Sequence, residues 1–213
     1  EYFKDSSKRS FVEENIKAFK FLTDISFMIP IIGNYKSGGR VFDSFSLMPS
    51  WIRKSVKIDN EPIVEVDFKA LHPNIAMSIY GGSKKFLTHQ QVAEESGIAI
   101  KRVKIQHLSF FNETLMGMKW SPLYKYYQKT EPLLLKNIEY EKKSSEYNYR
   151  ITSMRMFAKE VEIMTECIRR LNEIGIYVGY IYDALFCKES EREIVKKIMN
   201  EVVVELGVYT IAD

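Results

Sequence analysis

The 213-residue chain has no apolar run approaching the roughly 18 residues that a membrane span needs, which excludes a helical membrane protein as a reading. It has only two cysteines, Cys167 and Cys187, both inside apolar patterns and without metal-ligand spacing. That excludes a disulfide scaffold and a zinc module, and two such thiols suit a reducing interior. Charge of one sign is also lacking: 31 basic against 28 acidic residues leave a formal balance of +3, too weak for a purely electrostatic nucleic-acid binder. There is no internal repeat and no low-complexity segment. The opening residues, EYFKDSSKRS, lack the apolar centre of a signal peptide, so a cytoplasmic, intracellular protein without a membrane partner is expected.

What is present is material for a core: hydrophobic residues make up 46% of the chain and aromatics 13% of it, in a length that suits one large domain or two small ones. Ser10 and Glu13 form a capping-box pattern before Val12, Ile16, Phe19 and Leu22, whose spacing predicts an amphipathic helix ending near Pro30. A turn-rich connector follows, GNYKSGGR, with further breaks at Pro49 and Asp59-Asn60. The β-branched run PIVEVDF reads as a strand that terminates at Asp67. After it, ALHPNIAMSIYGG reads as a helix, with Pro73 in its first turn and Gly81-Gly82 at its end.

Thr88 and Gln91 suggest a second capping box opening HQQVAEESG, and IKRVKIQHLSFFNETLMG continues as another helix. The Tyr- and Lys-rich stretch from Trp120 to Tyr149 has no clean period. From Met154 the period returns: Met154, Phe157, Val161, Met164, Ile168 and Leu171 predict one face of a long buried helix that stops at Gly175. IGIYVGYIYDALFCK then reads as a strand pair or bent strand with Asp183 in its middle. Ser190 and Glu193 suggest the cap of a last helix, and GVYTI a final strand.

Two apolar segments, VEVDF and YIYDALF, therefore each carry one acid where burial is expected. A buried carboxylate without a partner is costly. The residues alone allow two readings: each acid caps the next turn, or the two share a divalent cation.

The wording of these segments resembles known replicative polymerases. DFKALHPNI, from Asp67 to Ile75, resembles motif A of DNA polymerases, close to the family B form D-x-x-S-L-Y-P-S-I and placed as in the family A form. YIYDALF resembles motif C, and GGRVFDSFSLMPSWIRKSVKIDNEPIVEVDF is similar to the family A run that precedes motif A. The resemblance spans residues 38–84 and 154–206, about half of the chain.

That resemblance implies an α+β right-hand polymerase palm, an antiparallel sheet backed by helices, with a reduced fingers-like helical insertion. Its divisions are an N-terminal helix and connector over 1–60, palm with motif A over 61–84, the insertion over 85–150, and palm with motif C over 151–213. It implies template-dependent nucleotidyl transfer, most simply DNA synthesis from dNTPs on a primer-template, with further domains or replication partners allowed. Asp67 and Asp183 become the catalytic acids that hold two Mg²⁺ or Mn²⁺ ions, and the Phe68 carbonyl a further ligand. Lys101, Arg102 and Lys104 become candidates for the triphosphate, in a register of Arg102, Gln106 and Phe110 as in family A or of Lys104, Asn112 and Gly117 as in family B, with a solvated basic face as the other reading; Arg40 and Arg53 either contact the primer-template backbone or brace the palm.

His72 occupies the position where these families place a wall against the sugar 2′ carbon; a local hydrogen bond at a helix start is the other reading. In motif C, Tyr182 and Ala184 replace the family A histidine and second acid, leaving one acid. Glu160 and Glu162, on the long helix ahead of motif C, read as ordinary solvated helix glutamates, with a supporting carboxylate as the other reading. Two other functions share these features: a single-subunit RNA polymerase or primase-like enzyme, and a catalytically silent palm that binds nucleic acid or a partner protein.

Overall fold

The computed structural model describes residues 13, 14, 16, 17, 20, 30–83 and 85–213. Glu13, Glu14, Ile16, Lys17 and Lys20 are helical, and the remainder of the expected first helix, with its Ser10 cap, lies outside the described residues. None of the described helices is long and apolar enough to cross a membrane.

A short antiparallel hairpin of β1 (Ile31–Ile32) and β2 (Val41–Phe42) opens the described chain. Its loop needs glycine at Gly38, which has φ +69° and would drive a Cβ to 2.4 Å from the backbone of Phe157. That close approach seats the hairpin loop on the long helix and delivers Arg40 to it. Two short helices follow, α1 (Ser44–Leu47), capped by Asp43, and α2 (Ser50–Arg53).

The main sheet has β3 (Lys57–Ile58), β4 (Glu61–Asp67), β5 (Gly179–Ile181) and β6 (Ala184–Lys188), in the order β3-β4-β6-β5 with every neighbouring pair antiparallel. Asp59 and Asn60 both adopt left-handed backbone at the β3-β4 turn, as short-sided residues at a tight hairpin do. Along β4 the side chains alternate, so that Val64, Val66 and then Phe68 meet the core while Glu65 and Asp67 face away. Leu185 and Cys187 of β6 supply the same buried face. The expected final strand is reduced to one bridge, Phe68 to Ala212, with Lys69 N donating to Ile211 O at 2.9 Å.

The core face of the sheet is packed by α10 (Arg192–Glu205), with α9 (Ile151–Glu173) beside α10 and α3 (Leu71–Tyr80) beside α9. Between α3 and α9 the described residues form five α-helices: α4 (His89–Ser96), α5 (Ile100–Phe110), α6 (Leu115–Trp120), α7 (Tyr124–Thr130) and α8 (Pro132–Ser144). The mixed helical and antiparallel character was legible; two details differ. The last helix begins at Arg192, because Ser190 turns its N–H and hydroxyl to Glu61 (2.6 and 2.9 Å) instead of capping. The buried face of α9 runs through Met156, Glu160, Ile163, Met164, Cys167 and Leu171, and Phe157 and Val161 sit at its margin.

Candidate active site

Asp67 closes β4, and Asp183 is the second residue of the two-residue turn joining β5 to β6. The register pairs Asp67 with Ala184, so the two acids come from adjacent strand ends despite their separation in sequence. Tyr182, beside Asp183, has φ +54°, a left-handed backbone that an aromatic residue adopts at a cost of about 1–3 kcal/mol. Ala70, at the start of α3, has φ +52°. Both strained residues flank the acids.

The two carboxylates floor a cleft of about 620 Å³, also lined by Phe68, His72, His89, Lys104, His107 and Leu108. Although Asp67 opens to the cleft, burial, then Asp183, then Glu65 push its carboxyl up to about 7. Burial and Glu160 raise Asp183 as well, against His72 and Arg40. Two acids that resist ionising together form a hard oxygen site of the kind a divalent cation relieves. Among the described residues no cluster of three or more His, Cys, Asp or Glu could cage a metal. Mg²⁺ is commonly held by one or two carboxylates plus substrate phosphates, so this donor set fits such an ion.

The backbone adds a candidate. Asp67 exchanges hydrogen bonds with Asp213 (3.3 and 3.1 Å) and Lys69 bonds Ile211, so alternation turns the intervening Phe68 carbonyl towards the β6 side, where Asp183 stands. The third acid at the cleft, Asp213, is held well below the carboxylate range by Lys69 and Lys196 and is spent on them, at 2.8 and 2.9 Å.

Behind Asp183 stands a network that sequence reading missed. Arg40 grips Glu160 with two hydrogen bonds, 2.7 and 2.6 Å, and His72 Nε2 donates to the same carboxylate at 2.6 Å. The Glu160 side chain is 0% exposed, so it is the reverse of the solvated glutamate expected; Glu162, half-exposed and paired with Lys159, fits that description. Burial opposes ionisation of Glu160, yet the bonds from His72 and Arg40 prevail and hold its carboxyl low. The Arg40 guanidinium also lies 4.0 Å from the Phe157 ring and 4.7 Å from the Tyr182 ring, which ties the strained turn to α9. A signal existed: Glu160 interrupts the apolar face of α9, with Met156, Ile163 and Met164 at helical spacing around it.

His72 sits in the first turn of α3 with its side chain 25% exposed, lining the cleft while bonded to Glu160. Arg40 and Arg53 have their guanidinium groups engaged inside the fold, Arg53 donating to the Met48 carbonyl and lying 5.8 Å from the Phe186 ring. Both placements are those of braces.

Of the three cations on α5, only Lys104 lines the cleft, in a stripe with Ile100 and Leu108 one turn to either side. Lys101 and Arg102 are exposed outside the cleft lining. The register that would pair Arg102 with Gln106 and Phe110 is turned from the cleft, because Phe110 is buried, stacked on Tyr127 at 5.1 Å. If the cleft takes a nucleotide, as the polymerase resemblance implies, Lys104→Ala should raise its KM about tenfold or more, and Lys101→Ala or Arg102→Ala should change it less than threefold, in steady-state assays.

Asn74, also missed, ties this wall to the acids: its side-chain amide donates to the Ala70 and Leu87 carbonyls (2.9 and 2.8 Å) and accepts from Leu87 N at 2.9 Å. Leu87 leads into Thr88, which caps α4 by accepting from Gln91 N.

No family model matches the chain, and no curated protein matches its sequence. Among solved structures, it is similar to the POL domain of Pol1 from M. smegmatis, complexed with DNA primer-template and dNTP, with TM-score 0.55 and 11% identity. The fold is polymerase-like. The match covers 83% of this chain and 45% of that one, so the chain spans less than half of the solved polymerase domain. At this identity the likeness carries the arrangement of sheet and helices; the polymerase-like fold sets the two acids where its strands end, and the chemistry rests on the residues themselves.

Proposed function

We propose that the chain carries the palm and a reduced fingers element of a template-dependent nucleotidyltransferase, most simply a DNA polymerase acting on a primer-template with dNTPs. The observation that carries this reading is the pair Asp67 and Asp183 on adjacent strand ends, facing a cleft whose opposite wall presents Lys104. In this reading residues 61–84 and 151–213 form the palm and 85–150 the fingers-like part.

Divalent cations bound at Asp67, Asp183 and the Phe68 carbonyl would supply Lewis acidity to the attacking hydroxyl and neutralise phosphate charge. The chain's own groups do the remainder. Asp67 and Asp183 are preorganised by strand register, so no side chain must be recruited. Lys104 offers its ammonium to the nucleotide's phosphates, and the stripe of Ile100 and Leu108 offers an apolar surface to a base. His72, locked by Glu160, stands as the wall against the sugar 2′ carbon. Arg40 and Arg53 act on the nucleic acid only by bracing the elements that meet it.

The test is primer extension on one template with dNTPs against rNTPs in Mg²⁺. Extension with dNTPs is expected; a preference for rNTPs favours the RNA polymerase alternative, and no extension with nucleic acid still bound favours a silent palm. Sugar selection at such a wall is mainly steric. His72→Ala is therefore expected to raise the rNTP-to-dNTP ratio of kcat/KM by about tenfold or more. An unchanged ratio removes His72 from the site.

A further inference from the structure

The chain has three histidines, and all of them line the cleft. His72 belongs to the Glu160 network; the other two form a separate line. His89 Nδ1 lies 2.9 Å from His107 Nδ1, and His107 Nε2 lies 2.8 Å from the Tyr127 hydroxyl. His107 is 5% exposed and Tyr127 fully buried, whereas His89 reaches the cleft beside Lys104. Aromatic rings fix the inner pair: His107 lies parallel to Phe111 at 6.5 Å, and Tyr127 stacks on Phe110.

Two Nδ1 atoms at 2.9 Å share one proton, so one ring donates and the other accepts. The direction is set from the buried end. Burial, with Tyr126 and Glu131 nearby, holds the Tyr127 phenol protonated far above the neutral range. Burial, then His89, pushes His107 down to about 3, and burial, then Lys104, lowers His89, so both rings are neutral at pH 7. A fully buried hydroxyl that does not donate leaves its hydrogen unpaired, and among the described residues its partner is His107 Nε2 at 2.8 Å, so Tyr127 O–H donates to His107 Nε2, His107 Nδ1–H donates to His89 Nδ1, and the remaining proton of His89 sits on Nε2.

We propose that Tyr127 and His107 are positioning residues that lock His89 as its Nε2–H tautomer, which donates a hydrogen bond to the terminal diphosphate of the nucleotide beside Lys104. The proposal rests on the nucleotidyl-transfer reading of the cleft. The opposite polarity would present a lone pair to the phosphate and repel it. No proton is consumed; the relay orients a donor. Protonation of His89 makes the tautomer irrelevant, since both ring nitrogens then carry hydrogen and the inner bonds reverse, with Tyr127 accepting. The other titratable groups at the cleft, His72, Lys69, Lys104, Asp67, Asp183 and Asp213, lie outside this line.

The test uses the full chain labelled with ¹⁵N-histidine and inorganic pyrophosphate as probe. Long-range ¹⁵N–¹H spectra at pH 7.5 are expected to show His89 as the Nε2–H tautomer, with that nitrogen shifted by pyrophosphate. Tyr127→Phe is expected to mix the tautomers and weaken pyrophosphate about three- to tenfold, the worth of one hydrogen bond. The deficit should vanish as pH falls through His89 protonation, below the ordinary value of about 6.5, a change that mere loosening of the fold would not produce. His107→Asn, whose amide replaces the Nδ1–H donor, should stay within about twofold of the wild type, and His107→Phe should match or exceed the Tyr127→Phe loss. An Nδ1–H tautomer at His89, or wild-type affinity in Tyr127→Phe and His107→Phe at pH 7.5, overturns the proposal. If Lys104→Ala alone loses pyrophosphate, the relay fails and the nucleotidyl-transfer reading stands; if pyrophosphate ignores both Lys104 and His89, both readings fall.

Discussion

Asp67→Asn and Asp183→Asn are each expected to lower primer extension on the order of 10³-fold or more while the protein stays folded. Each substitution keeps the shape of the side chain and removes one unit of charge from the place where cations and a transferring phosphoryl group would meet. A structural acid would behave differently, because its removal would lower stability and leave activity in the surviving fold. Here stability should move the other way. The folded pKa of Asp67 is raised from 3.8 to about 7, so its contribution is full below pH 3.8 and is lost as pH rises through 7. The wild type therefore carries a penalty at pH 8 that Asp67→Asn escapes, about 1–2 kcal/mol once solvent access to the cleft is discounted. Thermal melts at pH 8 and pH 4 measure it: the variant should melt higher at pH 8 and equal the wild type at pH 4. Variants that keep extension, or that melt lower at both pH values, would remove the acids from catalysis.

Glu160→Ala is expected to cost about 3–5 kcal/mol in urea unfolding, because it leaves the Arg40 guanidinium, 14% exposed, and His72 facing an empty buried site. The penalty comes from the orphaned charge more than from the lost pair. Arg40→Met combined with Glu160→Leu should therefore recover much of it, and the double-variant cycle should show coupling above about 2 kcal/mol. The functional consequence follows from the same bonds. With Glu160 gone His72 is free to rotate, so rNTP discrimination should fall towards that of His72→Ala, and Arg40 loses the anchor that holds it against Tyr182 at the strained turn beside Asp183. A loss below about 1 kcal/mol would mean that the network contributes little.

Sequence reading reached the strand ending at Asp67, the helix from Leu71 to Tyr80 and the placement of Asp183 within a strand pair, because each rests on local pattern: β-branched runs, Pro73 in a first turn, Gly81 at a left-handed helix end. It could not reach what depends on rotation about a helix axis. Whether Arg102 or Lys104 meets the cleft is decided by Phe110, buried on the far side of α5, and no local signal fixes that choice. The stretch from Trp120 to Tyr149 was opaque for a related reason: Tyr126 and Tyr127 serve as core residues with polar tips, so the apolar period that marks α7 is hidden in tyrosines. Glu160 was misjudged because an acid on a helix is usually solvated, and its partners, Arg40 and His72, arrive from distant segments. That Asp67 and Asp183 meet came from resemblance alone; the register that joins them, Asp67 opposite Ala184, is a tertiary fact.

Mn²⁺ binding followed by electron paramagnetic resonance, for the wild type and for Asp67→Asn and Asp183→Asn, tests most directly whether these carboxylates form a cation site. The wild type is expected to bind more tightly as pH rises through about 7, where the proton on Asp67 ceases to compete, and each variant to lose at least tenfold in affinity and the pH dependence with it. Equal Mn²⁺ affinity in all three proteins across that pH range would contradict a shared cation site at Asp67 and Asp183.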